Sequence, residues 1–115
     1  MGRSSQETKL SKSIQDALKR LKFWCIRVQC GIVPLGRGRF MHLAENGTPD
    51  LWTSLGWLEV KDKSELSPAQ IAWHEKAKTH NVRVAVVRST QDAIDTVIRW
   101  KREDEQNDSR KTSID

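Results

Sequence analysis

A nearly continuous apolar run at residues 82–87 (VRVAVV) limits the folds open to this chain. Strands of this composition are typically covered on both faces inside a parallel or mixed sheet. The run follows a clear helix start, in which Ser67 is the N-cap, Pro68 is the first helical residue and Gln70 is the third. We therefore predict a helix over residues 67–80 that leads into a strand of a mixed sheet.

The rest of the sequence divides into further helices and strands by its apolar spacing. A helix over 5–22 is indicated by Leu10, Ile14, Leu18 and Leu21 on one face, and a last helix is predicted over 90–102. Glycines and Pro34 predict a loop over 31–38. Strands are predicted at 23–30, at 39–43 and, after a short strand start at 50–52 and a turn at 53–56, at 57–61. The predicted order is α-β-β-β-α-β-α, an α/β (α+β) class with a mixed central sheet flanked by helices.

The charge is distributed unevenly along the 115 residues, a length that indicates a single domain. Residues 1–102 carry 18 basic and 10 acidic side chains, whereas residues 103–115 carry 5 acidic and 2 basic ones. A basic domain attracts polyanions, most often nucleic acid, although solvated helix faces explain such charge about equally well. The acidic segment 103–115 is predicted to be a disordered tail.

Several features argue against a disulfide-rich, zinc-binding, secreted or membrane-spanning protein. Cys25 and Cys30 have neither disulfide-framework spacing nor the CxxC spacing of zinc and redox sites. His42, His74 and His80 form no metal spacing with them and are predicted to be surface or packing residues. Residues 1–12 lack the apolar segment of a secretory signal, and no stretch approaches the roughly 18 apolar residues of a membrane span. A cytoplasmic protein is expected.

Two acidic residues and a lysine form the most distinctive constellation. Strand alternation directs Glu59 and Lys61 to one face and Leu58 and Val60 to a core. If 53–56 is a four-residue turn, Asp50 lies opposite Glu59 with the Cβ atoms about 4.5–5.5 Å apart. Paired carboxylates suit a hard divalent ion such as Mg²⁺, whereas the simpler alternative for any one of these residues is a surface salt bridge.

Four segments together resemble the virus-type replication-repair nuclease (VRR-NUC) domain, a branch of the PD-(D/E)XK nuclease superfamily. They are GTPDL at 47–51, LEVK at 58–61, LSPAQ at 66–70 and VAVVRS at 84–89. The resemblance covers roughly residues 7–98, and it implies a restriction-endonuclease-like αβββαβ core.

The resemblance also implies a role for each site residue. Asp50 and Glu59 would bind Mg²⁺, or Mn²⁺ in its place, with help from the backbone carbonyl of Val60. Lys61 would position or activate the attacking water. Gln70 and Glu7 match further site residues of the family. The alternative for each is a helix capping box, Gln70 with Ser67 and Glu7 with Ser4.

The function implied is a metal-dependent endonuclease that cuts branched DNA, such as flaps or Holliday junctions, and leaves 5′-phosphate and 3′-hydroxyl ends. Stand-alone family members resemble Holliday-junction resolvases, so a homodimer is expected. The alternative is a DNA-binding protein that retains the fold without full catalysis. Six basic residues are predicted to contact DNA phosphates: Arg27, Arg37, Arg39, Lys63, Lys76 and Lys78.

Tryptophan accounts for five residues in a chain without tyrosine. Trp24 and Trp57 are predicted to pack in the core, as strand tryptophans usually do. For Trp52, beside Asp50, core packing is favoured over stacking on an unpaired base. Trp100 falls outside the apolar stripe assigned to the last helix, which predicts an exposed residue suited to a dimer contact.

Overall fold

Three helices and two β-sheets form the described part of the chain, which comprises residues 5–28, 32–42 and 45–113 of a computed structural model. The helices are α1 (Ser5–Arg20), α2 (Pro68–Thr79) and α3 (Thr90–Ser113). The strands are β1 (Cys25–Arg27), β2 (Ile32–Gly36), β3 (Arg39–His42), β4 (Leu51–Thr53), β5 (Gly56–Val60) and β6 (Val84–Val87). Ser4 and Cys30 lie outside the described residues, so the predictions that involve them have no counterpart here.

The main sheet is mixed and has the strand order β1-β4-β5-β6. Strands β1, β4 and β5 pair antiparallel, whereas β5 and β6 pair parallel. Helix α2 forms the crossover between these two parallel strands, as a parallel pair requires. The α+β class is confirmed, and the order α-β-β-β-α-β-α holds for the main sheet together with its helices.

One strand of that order differs from the prediction. The predicted strand at 39–43 belongs to a separate hairpin of β2 and β3, and β4 takes its place in the main sheet. The predicted loop over 31–38 is therefore largely strand β2. The reason is that Arg37 (φ 53°) and Gly38 (φ 72°) both adopt left-handed conformations, which form a tight hairpin turn rather than an open loop.

The hydrophobic core lies between the main sheet and helices α1 and α3. Leu58 and Val60 of β5 are fully buried there, as strand alternation predicted. Further core residues come from both helices and the neighbouring strands: Ile14, Leu18, Leu51, Val87, Ala93, Val97 and Trp100. Helix α2 packs on the other face of the main sheet, where its side chains contact Trp57 and Glu59 of β5.

Strand β6 is less buried than its composition predicted. It lies at the edge of the main sheet and pairs only with β5 among the described strands. Three of its residues are half-buried, and Val87 alone is fully buried. Helices α2 and α3 contact β6 from the two faces of the sheet, as predicted, but the coverage is only partial because the edge position leaves the outer side of the strand open.

Helix α3 is longer than predicted, since it continues from Thr90 to Ser113 instead of ending at residue 102. Most of the segment expected to be a disordered acidic tail is thus helical. Arg83 holds the start of this extension, with its guanidinium 3.2 Å from Glu103 and 2.9 Å from Asp104. Even at 24 residues, α3 is too polar to cross a membrane, and the other helices of the described ranges are no better suited.

Three tryptophans depart from their predicted environments. Trp24 is 66% exposed, and Trp57 is half-buried against Trp73 of α2, so neither is a core residue. Trp100 is buried in the core rather than exposed for a dimer contact. It follows Val97 by three residues and therefore continues the apolar face of α3.

Cys25 is a buried thiol that packs in the core. Burial raises its pKa to about 11, because desolvation disfavours the thiolate. This side chain is therefore a neutral packing residue at physiological pH.

Candidate active site

The β4–β5 hairpin has the register that the turn at 53–56 predicted. Leu51 pairs with Leu58, and Trp52 pairs with Trp57. The buried Thr53 fixes the turn, since its Oγ1 accepts from the amide of Gly56 (3.0 Å) and donates to the carbonyl of Gly56 (2.7 Å). Continuing this register by one residue sets Asp50 opposite Glu59, on the face that α2 covers.

Asp50 is a buried carboxylate joined to the end of β5. Its side chain is only 7% exposed, and Oδ2 accepts a 2.8 Å hydrogen bond from the amide of Val60. The carbonyl of Asp50 in turn accepts from the amide of Val28, also at 2.8 Å. These two bonds hold Asp50 between the strands on either side of it.

Glu59 is the most buried acidic residue of the site, with 1% exposure. Its two carboxylate oxygens each approach a side chain of α2. Oε2 accepts from Nε2 of Gln70 at 3.3 Å, and Oε1 lies 3.4 Å from Nε2 of His74. Helix α2 therefore orients this carboxylate within the sheet face.

Gln70 combines the two roles that the sequence left as alternatives. Its backbone amide donates to Oγ of Ser67 (3.2 Å), and its Oε1 accepts from the amide of Ser67 (2.8 Å), so the predicted capping box is confirmed. Its Nε2 remains directed at Glu59. The amide can serve both partners because one end accepts and the other donates. Its participation in catalysis remains a prediction.

His74 is a site residue that sequence reasoning did not assign. Gln70 and His74 are four residues apart and therefore share a face of α2, which is the signal that could have identified it. Burial lowers the pKa of His74, so its imidazole is favoured in the neutral form. As a neutral group, it can donate a hydrogen bond to Glu59 without cancelling the negative charge.

Lys61 and Glu7 lie around the segment that follows β5. Lys61 is half-exposed, and its amide donates to the carbonyl of Val87 at 3.1 Å. The buried Glu7 accepts from the amide of Asp62 (3.3 Å) and from Oγ of Ser64 (3.0 Å), both through Oε1. Glu7 therefore fixes the chain directly after Lys61, and its predicted catalytic role remains a prediction.

The six basic residues predicted to contact DNA are all exposed: Arg27, Arg37, Arg39, Lys63, Lys76 and Lys78. Lys76 also lies 3.6 Å from a carboxylate oxygen of Glu45, with both side chains largely exposed. Exposed pairs of this kind contribute little to stability, so Lys76 can exchange this partner for a phosphate at small cost.

Asp50 and Glu59 supply carboxylate oxygens, the type of ligand that a hard divalent cation prefers. Asp50 and Glu59 are both buried, the hairpin register continued by one residue sets them opposite each other, and Val60 directly follows Glu59. Within the described residues, no group of three or more His, Cys, Asp and Glu side chains is arranged to hold a metal. Mg²⁺ commonly uses one or two carboxylates and completes its shell with water and phosphate oxygens.

Comparisons of the chain with protein-family models, with curated proteins and with solved structures returned no match. The proposals for this site therefore rest on its geometry and on the sequence motifs described above.

Gly47→Ala should destabilise the loop that leads into Asp50. Gly47 has a φ of 90°, and a Cβ at this position would overlap the carbonyl of Ala69 in the first turn of α2. We expect a loss of about 2–4 kcal/mol in the free energy of unfolding, measured by urea titration. Gly38→Ala is the matched control, because Gly38 has a φ of 72° but open space around it, and should lose only about 1 kcal/mol. Equal losses would show that the loop does not pack closely on α2.

Gln70→Glu should separate the two roles of this side chain. A glutamate can still accept the hydrogen bond from the amide of Ser67, so the capping box of helix α2 should be retained. The second oxygen of the new carboxylate would face Glu59, where like charges repel and the hydrogen bond is lost. We expect DNA cleavage to fall about tenfold or more, while Gln70→Ala should also lose about 1 kcal/mol of stability. Wild-type cleavage by Gln70→Glu would show that the contact with Glu59 does not matter.

Proposed function

We propose that this chain is a metal-dependent endonuclease that hydrolyses phosphodiester bonds in branched DNA. The observation that carries this proposal is the opposition of two buried carboxylates, Asp50 and Glu59, on the face of the sheet covered by α2. Carboxylates are rarely buried unless they are paired, hydrogen-bonded or bound to a metal. A salt bridge on the surface would not need this degree of burial.

The arrangement of the main sheet supports a restriction-endonuclease-like core. An antiparallel β4–β5 hairpin is followed by a crossover helix and by a parallel edge strand, with helices on both faces. This order agrees with the αβββαβ arrangement that the resemblance to the VRR-NUC family implies. The candidate residues occupy the ends of β4 and β5, beside the start of α2.

Each residue of the site has a distinct part in the proposed reaction. Asp50, Glu59 and the Val60 carbonyl would hold the cation, and Gln70 and His74 would keep Glu59 in its orientation. A bound divalent cation lowers the pKa of a coordinated water and neutralises charge that develops on the phosphate. Lys61, half-exposed after β5, would hold the attacking water or a phosphate oxygen.

The basic surface supports DNA as the substrate. The proposed phosphate-binding side chains are exposed, and the segment 1–102 has eight more basic than acidic residues. Binding through such contacts releases counterions, so the affinity for DNA should fall steeply as salt increases. A homodimer would supply two sites for two opposed strands of a junction.

The test is cleavage of end-labelled DNA substrates by the full chain. Single strands, duplexes, nicked duplexes, flaps, forks and four-way junctions are incubated with Mg²⁺, Mn²⁺ or EDTA, and the solution mass is measured alongside. We expect cleavage with either metal, none with EDTA, and products that carry 5′-phosphates. DNA binding without any metal-dependent cleavage would overturn the proposal and favour a DNA-binding protein that retains this fold.

A further inference from the structure

A row of apolar side chains crosses the main sheet on the face that carries the candidate site. Ile26 of β1 pairs with Trp52 of β4, and Trp52 pairs with Trp57 of β5. Helix α2 covers one end of this row, where the rings of Trp73 and Trp57 have centroids 5.3 Å apart. The other end is open, because Ile26 is 47% exposed and the neighbouring Trp24 is 66% exposed.

Trp24 and Trp52 form an aromatic pair at this open end. Their ring centroids are 5.0 Å apart and the rings are nearly perpendicular, at 85°. The backbone below Trp24 is fixed, since its carbonyl accepts from the amide of Ser54 at 3.2 Å. Because the rings meet edge to face, the exposed Trp24 can still offer one ring face to a flat partner.

The aromatic pair is close to the candidate carboxylates. Trp52 follows Asp50 by two residues, so both point to the same face and their Cα atoms are about 7 Å apart along the strand. Trp52 and Trp57, but not Trp24, also line an open cavity of about 450 Å³ with the hairpin turn, Asn81, Arg83 and Asp104, and Arg83 is paired with Asp104 there.

The charge beside the pair is complementary to a polyanion. Residues 17–28, which include Trp24, contain Lys19, Arg20, Lys22 and Arg27 and no acidic residue. All four basic side chains are exposed. Proteins that bind single-stranded nucleic acid combine such positive charge with aromatic side chains on which bases stack. A second copy of the chain is a less suitable partner for this surface, because its own basic segment would be repelled by the same charges.

We propose that Trp24 and Trp52 stack on unpaired bases of DNA, so that the preferred substrate has a single-stranded segment next to the bond that is cut. Positive charge binds the backbone of that segment, and the two rings bind its bases. The position of the cleaved bond rests on the proposed endonuclease function, whereas the binding of unpaired bases does not.

The test measures binding of the full chain to a fluorescein-labelled thymidine oligonucleotide of about 12 nucleotides and to a duplex of the same length. For the oligonucleotide, Trp24→Ala should raise the Kd about tenfold, and Trp24→Phe should stay within about threefold of wild type. The duplex Kd should change less than about twofold. Ile71→Ala, another exposed apolar residue but on α2, is the matched control and should change neither value.

The outcomes separate this inference from the proposed function. An oligonucleotide Kd unchanged in Trp24→Ala overturns the inference, and so does an equal loss for the duplex. A wild-type dimer that becomes monomeric in Trp24→Ala, with oligonucleotide binding intact, also overturns it and assigns the surface to a second copy. In each of these three cases, metal-dependent cleavage by the wild-type chain would still support the proposed endonuclease function. Binding that depends on Trp24 without any cleavage supports the inference and overturns the endonuclease.

Discussion

Asp50→Asn is expected to reduce metal-dependent DNA cleavage by about a thousandfold while the Kd for DNA changes less than about twofold. The substitution removes one of the two negative charges proposed to hold the cation. The fold should be retained, because the amide oxygen of asparagine can still accept the hydrogen bond from Val60. Rates are measured under single-turnover conditions with Mg²⁺, and DNA affinity is measured in Ca²⁺ or EDTA.

Glu75→Gln is the matched control for this experiment. Glu75 is an exposed acidic residue of α2, directly after His74, and its loss changes the net charge by the same amount. Its cleavage rate should remain within about twofold of wild type, as expected for an exposed charge without a catalytic contact. If Asp50→Asn cleaves DNA as fast as wild type, Asp50 is not part of the catalytic centre, and the proposed cation site must be abandoned.

The hairpin that carries the candidate site could be predicted because its register depends on local sequence. A four-residue turn fixes which residues of β4 and β5 face one another, and strand alternation then assigns each side chain to a face. Both steps need only the spacing between Thr53, Gly56 and their neighbours, and the observed pairing agrees with them. The same holds for the helix start at Ser67, where the cap lies within three residues.

Environments that depend on distant elements could not be predicted in the same way. Trp24 has the alternating pattern of a half-buried strand, but no element described over that end of the sheet covers its ring. His74 contacts Glu59 because α2 crosses over β5. The sequence between the two residues does not indicate which side chain of α2 will lie over Glu59. The sequence therefore predicted Asp50 and Glu59 together, with Gln70 as a further site residue, but it did not predict that His74 lies against Glu59.

Trp100→Ala is expected to cost about 3–5 kcal/mol in the free energy of unfolding, as truncation of a buried tryptophan usually does. Trp100 is only 6% exposed and belongs to the cluster between the sheet and α3. Urea titration followed by far-ultraviolet circular dichroism gives the change directly. Trp24→Ala is the control of equal size, and because Trp24 is 66% exposed it should lose less than about 1 kcal/mol.

The packing of Trp100 on Gly56 makes this prediction more specific. A Cβ on Gly56 would lie 2.7 Å from the Trp100 ring and 2.8 Å from Cβ of Arg83, so Gly56→Ala should itself be destabilising. Removing the indole frees part of that space, and the double variant should therefore lose at least about 0.5 kcal/mol less than the sum of the single losses. Strict additivity would contradict this contact. If Trp100→Ala loses little free energy of unfolding but shifts the protein from dimer to monomer, Trp100 instead belongs to an interface between two copies of the chain.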